Sequence, residues 1–310
     1  EKVVDQELRL NTTSAESFGI AALPTPPTYA KQISNAVEIC ELTNIRIVRK
    51  VIKAVNRILA DHHGLTEAVL SRVIPSVVLL SAIHFKGIEN GPDFNFVLEQ
   101  GSARDWDAVL IENKDRETPE FDRKSKWKSI MTSLGIRGCD EFELLVVEFL
   151  ESGLFDSGEI AKIISRYVGE AEVMNAGAEC GLLFNNYYWD HSKTDHDLLQ
   201  QADKVVLKSY LLNVYDITTL HEILADLENG KSKAEEALKL WLGANVHGIA
   251  QQGELENLFN RKVHPSILEK FKEVFVVTDG RRNVAQTATL NSNIHPCIRK
   301  NRLPRSIGSI

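Results

Sequence analysis

Residues 41–59, ELTNIRIVRKVIKAVNRIL, constrain the fold more than any other stretch of the chain. Arg46, Arg49, Lys50, Lys53 and Arg57 recur at steps of three and four, while Val48, Val51, Ile52, Val55, Ile58 and Leu59 occupy the complementary positions. On a helix of about 3.6 residues per turn these sets form opposite ridges, one basic and one apolar. The apolar ridge must be covered by neighbouring elements, so a packed helical assembly is predicted. The basic ridge must face water or an anion. In a chain of formal net charge -7, five like charges on one face call for a physical explanation.

A length of 310 residues accommodates two domains, at about 100–200 residues each. The 43% hydrophobic and 25% charged content is that of a soluble globular protein rather than a disordered chain. The acidic balance argues against a general nucleic-acid coat, so any such contact has to be local. Cys40, Cys139, Cys180 and Cys297 are far apart, with no CxxC pair. They predict reduced thiols in the cytoplasm, not a disulfide framework, a zinc ribbon or a thioredoxin-like motif. The first residues, EKVVDQELRL, lack the layout of a signal peptide. The most apolar run, residues 69–85, is interrupted by Arg72 and Pro75 and falls short of the roughly 20 residues that span a bilayer. It predicts a buried core helix, kinked or divided at the proline, and no membrane span.

Along the chain, residues 2–10 alternate weakly and predict a short strand. A loop follows, since Pro24, Pro26 and Pro27 forbid a continuous helix there. Residues 33–40 predict a short helix, Gly64 a C-cap for the basic helix, and Thr66 an N-cap for the next one. Between residues 87 and 128, glycine, proline and mixed charge mark a connecting region or insertion. The domains expected are therefore 1–100, a linker at 101–130, and 131–310. Residues 140–168 predict two helices, the second opened by Asp156 with Glu159 three positions on. Helical patterns continue at 198–214, 219–227, 233–242 and 254–260, and His264-Pro265 opens another helix. Residues 273–290 flank Asp279-Gly280 with β-branched runs, a hairpin signal, and a basic tail follows. The fold class is mainly α: a lid-type bundle, then a larger helical region, with minor β structure.

Motifs of catalysis are weak. Residues 225–232, ADLENGKS, have the loose spacing of a phosphate-binding loop, a small residue followed after four positions by Gly-Lys-Ser. That loop needs a preceding strand and bare N–H groups, whereas the preceding residues are helical in pattern and Asp226 and Glu228 would repel phosphate. A helix ending at Asn229-Gly230 accounts for them better. His221-Glu222 lacks the second histidine of a zincin, because Ala225 stands there. Asp190, His191, Asp195, His196 and Asp197 are metal-competent types, but no pair has one-turn spacing, and a polar loop explains them equally. His62 and His63 are adjacent and diverge on a helix. No metal site is expected.

Asn44-Ile45-Arg46-Ile47-Val48-Arg49-Lys50 resembles the Asn-Pro-Arg-x-x-Lys-Arg stretch in the helical lid of KAP-type P-loop NTPases, relatives of the AAA+ ATPases. Glu1-Lys2-Val3-Val4-Asp5-Gln6 is similar to the Glu-Lys-Ile-Ile-Gln segment after the sensor-1 strand of that family. The resemblance covers about residues 1–85, and Ile45 replaces the usual proline. It implies that Arg46 is a sensor-2 arginine acting on the terminal phosphates, with Asn44, Arg49 and Lys50 beside it at the nucleotide. It further implies that this chain is the end of the core and the lid of a larger ATPase. ATP and Mg would then be bound only by the complete protein, with no cofactor and no hydrolysis expected for this chain alone. Implied partners are the remainder of the NTPase core and either further copies or a protein effector, as in bacterial anti-phage defence. The alternatives are a stand-alone helical adaptor without catalysis, a solvated basic face, an enzyme site hidden within residues 187–197, and local nucleic-acid contact. The last is disfavoured because no aromatic residue lies between Arg46 and Arg57.

Overall fold

Apolar residues at helical spacing become helices throughout residues 12–24, 26–99, 119–249, 262–270 and 273, which the computed structural model describes. Among the described residues there is no strand, and the protein is mainly α-helical. The strand expected at 2–10, the hairpin at 273–290 apart from Glu273, and the helix at 254–260 lie outside the described residues. The chain divides into two compact units, Glu1–Ala171 and Glu172–Ile310.

The first unit opens with α1, Ser14–Ala22, in the region where prolines predicted a loop. A reciprocal cap starts it: the Glu16 N–H donates to Thr13 Oγ1 at 3.2 Å, and the Thr13 N–H donates to Glu16 Oε2 at 2.9 Å. The prolines act only after this helix has ended. Next come α2 (Ala30–Ile39), α3 (Ile45–Ile58) and α4 (Glu67–His84). Helix α1 packs on α3, α2 on α4, and α3 on α4. Their shared core contains fully buried Ile33, Val37, Val48, Ile52, Val55, Ile74 and Leu80.

Helix α4 runs unbroken through Pro75. Burial of Val73, Ile74, Val77 and Val78 around the proline holds the turn together, although the ring removes one ladder donor. Among the described helices, α4 alone is long and apolar enough to cross a bilayer by length and composition, and most of that stretch is buried in this core. Thr66 occupies its N-cap position without a side-chain bond. Gly64 takes a positive φ of 71° in the loop, while α3 itself ends earlier, at Ile58.

Helices α5 (Phe94–Leu98), α6 (Pro119–Ser133), α7 (Glu141–Ser152) and the first part of α8 (Ser157–Trp189) complete the unit. Met131, Leu134, Phe142, Val146, Ile160 and Ile164 join the same core as α1 to α4. The compact units part at 171/172. One polar network ties α4, α7 and α8. Glu143, wholly buried, accepts from both terminal nitrogens of Arg72, from Ser76 Oγ at 2.6 Å and from the Asp140 N–H at 2.9 Å. Asp140 accepts in turn from the Tyr167 hydroxyl at 2.6 Å, from Arg166 at 3.2 Å and from the Phe142 N–H at 2.9 Å.

The second unit holds the remainder of α8, then α9 (Asp195–Leu207), a 3-10 turn (Ser209–Leu211), α10 (Val214–Asp226), α11 (Lys231–Ile249) and a helical stretch at 265–270. Its core contains Trp241, whose indole N–H donates to the Leu212 carbonyl at 2.8 Å, together with Cys180, Leu183, Ile217, Leu220 and Leu224.

Candidate functional site

The start of α3 is built from both sides. Asn44 is the N-cap, its side-chain oxygen accepting from the N–H groups of Arg46 at 3.0 Å and Ile47 at 3.4 Å. The preceding carbonyl, of Thr43, accepts from Ser17 Oγ at 2.6 Å and Thr12 Oγ1 at 3.0 Å, so α1 braces the corner. Leu42 is buried just before it, and Glu41 takes a left-handed φ of 51° to make the turn out of α2. Below, Val48, Val51, Ile52 and Val55 are fully buried. Asn44 and Arg46 are therefore fixed by their backbone while their side chains stay at the surface.

All five cations fall within an arc of about 100° at the helical rotation of about 100° per residue. Arg46, Lys50, Lys53 and Arg57 are exposed and Arg49 is half-buried. Among the described residues none of the five forms an ion pair. They are not equivalent, however. Lys50 Nζ lies 4.6 Å over the Phe85 ring, and the Arg57 guanidinium lies 5.7 Å and 6.0 Å from the centres of Phe149 and Phe155. Arg49 Nε is buried with no hydrogen-bond partner among the described residues. Arg46 has neither a ring nor an anion beside it among the described residues, and the first turn it occupies carries no acidic side chain. A helix start ordinarily favours negative charge; here a cation stands where an anion is favoured. The arrangement supplies charge-assisted donors and no nucleophile or proton carrier, so it is suited to holding an anion.

The other sequence candidates resolve differently. Residues 225–232 cross the turn between α10 and α11, not a strand followed by a helix. The Gly230 N–H bonds to the Leu227 carbonyl at 3.0 Å and the Glu228 N–H to Asp195 at 2.8 Å, so these donors are engaged within the protein. A Cβ at Gly230 would lie 2.0 Å from the Leu224 carbonyl oxygen, which is why glycine stands there. In residues 190–197 the carboxylates serve the backbone. Asp190 accepts from the Ser192 N–H at 3.2 Å, and Asp197 forms a capping box with Thr194. Among the described residues no three His, Cys, Asp or Glu side chains are grouped so as to hold a metal ion. Burial pushes the Cys40, Cys139 and Cys180 thiols up to about 12, which makes them packing groups rather than nucleophiles. A groove of about 560 Å³ lies between α2 and α4, lined by Lys31, Ser34, Glu38, Glu67, Ser71 and Pro75, away from the basic residues of α3.

Sequence reasoning missed the aromatic side of the basic ridge. Phe85 follows the end of α4, Phe149 lies in α7 and Phe155 just after it, and only tertiary packing brings them to Lys50 and Arg57. Comparison with protein-family models, with curated proteins and with solved structures gives no match.

Proposed function

We propose that residues 1–100 are the end of the core and the helical lid of a KAP-type P-loop ATPase, and that residues 131–310 form an effector or oligomerisation region in the cytoplasm. Arg46 is the residue that meets the terminal phosphates of ATP, with Asn44 fixing the helix start and Arg49 and Lys50 adding positive charge. Mg and the phosphate-binding loop belong to the rest of that ATPase. One observation carries this assignment: Arg46 is exposed, lacks an ion pair among the described residues, and sits on the first turn of a helix whose other side is locked into the core. An arginine there can offer two parallel N–H donors to a phosphate without losing an existing partner.

The test is ATP turnover by the protein containing this segment together with its ATPase core. Arg46→Ala should lower turnover by about 100- to 1000-fold, the usual effect of deleting a donor aimed at developing charge. Lys53→Ala removes the same charge about two turns along the same face and should leave turnover nearly unchanged. Arg57 is a poor control, because its guanidinium is already committed to Phe149 and Phe155. Equal losses from Arg46→Ala and Lys53→Ala would mean a diffuse field. No loss from either would leave α3 a solvated or protein-binding face and remove the lid assignment.

A further inference from the structure

A second constellation lies in the second unit and does not depend on the assignment of α3. Residues 262–270 dock on α10. The Lys262 ammonium pairs with Glu222 at 2.6 Å, the His264 N–H donates to Thr218 Oγ1 at 3.1 Å, and Ile267 is buried in the core. The imidazoles of His221 and His264 lie with centroids 4.3 Å apart, tilted by 56°. His221 Nε2 is 3.4 Å from Glu235 on α11.

His264 Nδ1 accepts the Ser266 N–H at 3.3 Å, which caps the helical stretch at 265–270. That bond needs a lone pair on Nδ1, so it exists only while the nitrogen carries no proton. Protonation would abolish the cap, turn a donor towards a donor, and set a cation at a helix start. It would also place positive charge against the neighbouring imidazole and near Lys262. The opposing groups are Glu235 and Glu222, each already facing His221 or Lys262.

We propose that the His221–His264 contact is a proton-sensitive latch, which holds residues 262–270 on α10 while His264 is neutral and releases them as the pH falls. Burial, with the His221 ring next, holds the His264 imidazole below its ordinary value, so the docked state binds fewer protons than the released one. Docking is therefore complete above the ordinary histidine range and weakens as pH falls through it towards the lowered value. Uptake of one proton limits the change in the opening equilibrium to about tenfold per pH unit.

Hydrogen exchange on the full chain between pH 7.5 and pH 5, corrected for intrinsic rates, measures this directly. The reporters are the amides of Ile267 and Leu268, which bond to the His264 carbonyl at 3.0 and 3.3 Å. Their protection should fall on acidification, at up to about tenfold per unit, while that of α10 stays constant. His264→Asn keeps a capping oxygen that does not titrate and should make protection independent of pH. His221→Gln removes the facing imidazole, brings the docked His264 closer to its ordinary value, and should make the total loss of protection on acidification smaller. Protection in the wild type that does not change with pH overturns the latch, as does an unaltered pH dependence in His264→Asn. Should His264→Asn leave the segment open at every pH, His221→Gln decides, and a loss of protection there as large as the wild type's overturns the proposal.

Discussion

Glu143→Gln keeps the shape of the side chain and removes its charge at the centre of the α4–α7–α8 network. The carboxylate is wholly buried and receives four donors, two from Arg72 and one each from Ser76 and the Asp140 backbone. Glutamine retains one accepting oxygen and turns an NH2 towards donors, so at least one buried contact becomes repulsive. Removing one member of a buried ion pair typically costs about 3–5 kcal/mol. Arg72 keeps 29% exposure and has Asp140 at 3.5 Å, which partly rehouses its charge. The loss should accordingly sit near the lower end, about 3 kcal/mol. Urea denaturation followed by circular dichroism gives the number, provided the slope is unchanged and the midpoint alone moves. Lys162→Gln, which breaks an exposed pair with Glu159, is the control and should leave the midpoint where it was. A Glu143→Gln midpoint equal to the control's would refute the view that this network fastens α7 to α4.

Gly230→Ala should destabilise the second unit by about 1–3 kcal/mol, because the added methyl meets a backbone carbonyl that cannot rotate away; a melting temperature unchanged from the wild type would contradict this. Acid should weaken the first unit through Asp140. Burial raises that carboxyl, but bonds from Tyr167 and the Phe142 N–H, with the charges of Arg72 and Arg166, outweigh it and hold it below the ordinary value. Its folded form thus binds fewer protons, so the stabilisation is full above about pH 4 and is lost as pH falls through the lowered value. Melting curves of Asp140→Asn should be less stable than wild type at neutral pH and show a smaller further loss between pH 5 and pH 2.5.

Helix α3 was legible because every determinant is local: Asn44 caps it, and its valines and isoleucines keep one period to Ile58. The local half of the candidate site, Asn44 with Arg46, was legible for the same reason. The neighbours of Lys50 and Arg57 were not, since Phe85, Phe149 and Phe155 reach them only through packing. Helix α1 carried its sign in Thr13 and Glu16, but the later prolines outweighed that sign although they lie beyond its end. At Pro75 the tertiary burial of α4 overrode a helix breaker. The full extent of α8 was hidden by Gly169, Gly177 and Gly181, each of which costs a helix roughly 1 kcal/mol against alanine. Burial of Ala176, Cys180 and Leu183 along one face offsets that cost. Arg72 and Glu143 stand 71 residues apart, and nothing in either local pattern distinguishes them from surface charges.

Helix α8 bears on how this protein can be taken apart. Its early turns give Ile160, Ile164 and Tyr167 to one core, and its later turns give Ala176, Cys180 and Leu183 to the other. Cutting the chain at 171/172 would sever a run of 33 residues mid-helix and create two frayed ends, each with unpaired backbone groups. Neither unit is therefore a cassette with clean borders. A fragment meant to fold as the first unit has to carry the helix well past residue 171, and one meant to fold as the second has to begin well before it. The same continuity limits recombination: an exchange of units between related chains succeeds only where the register of this one helix is preserved.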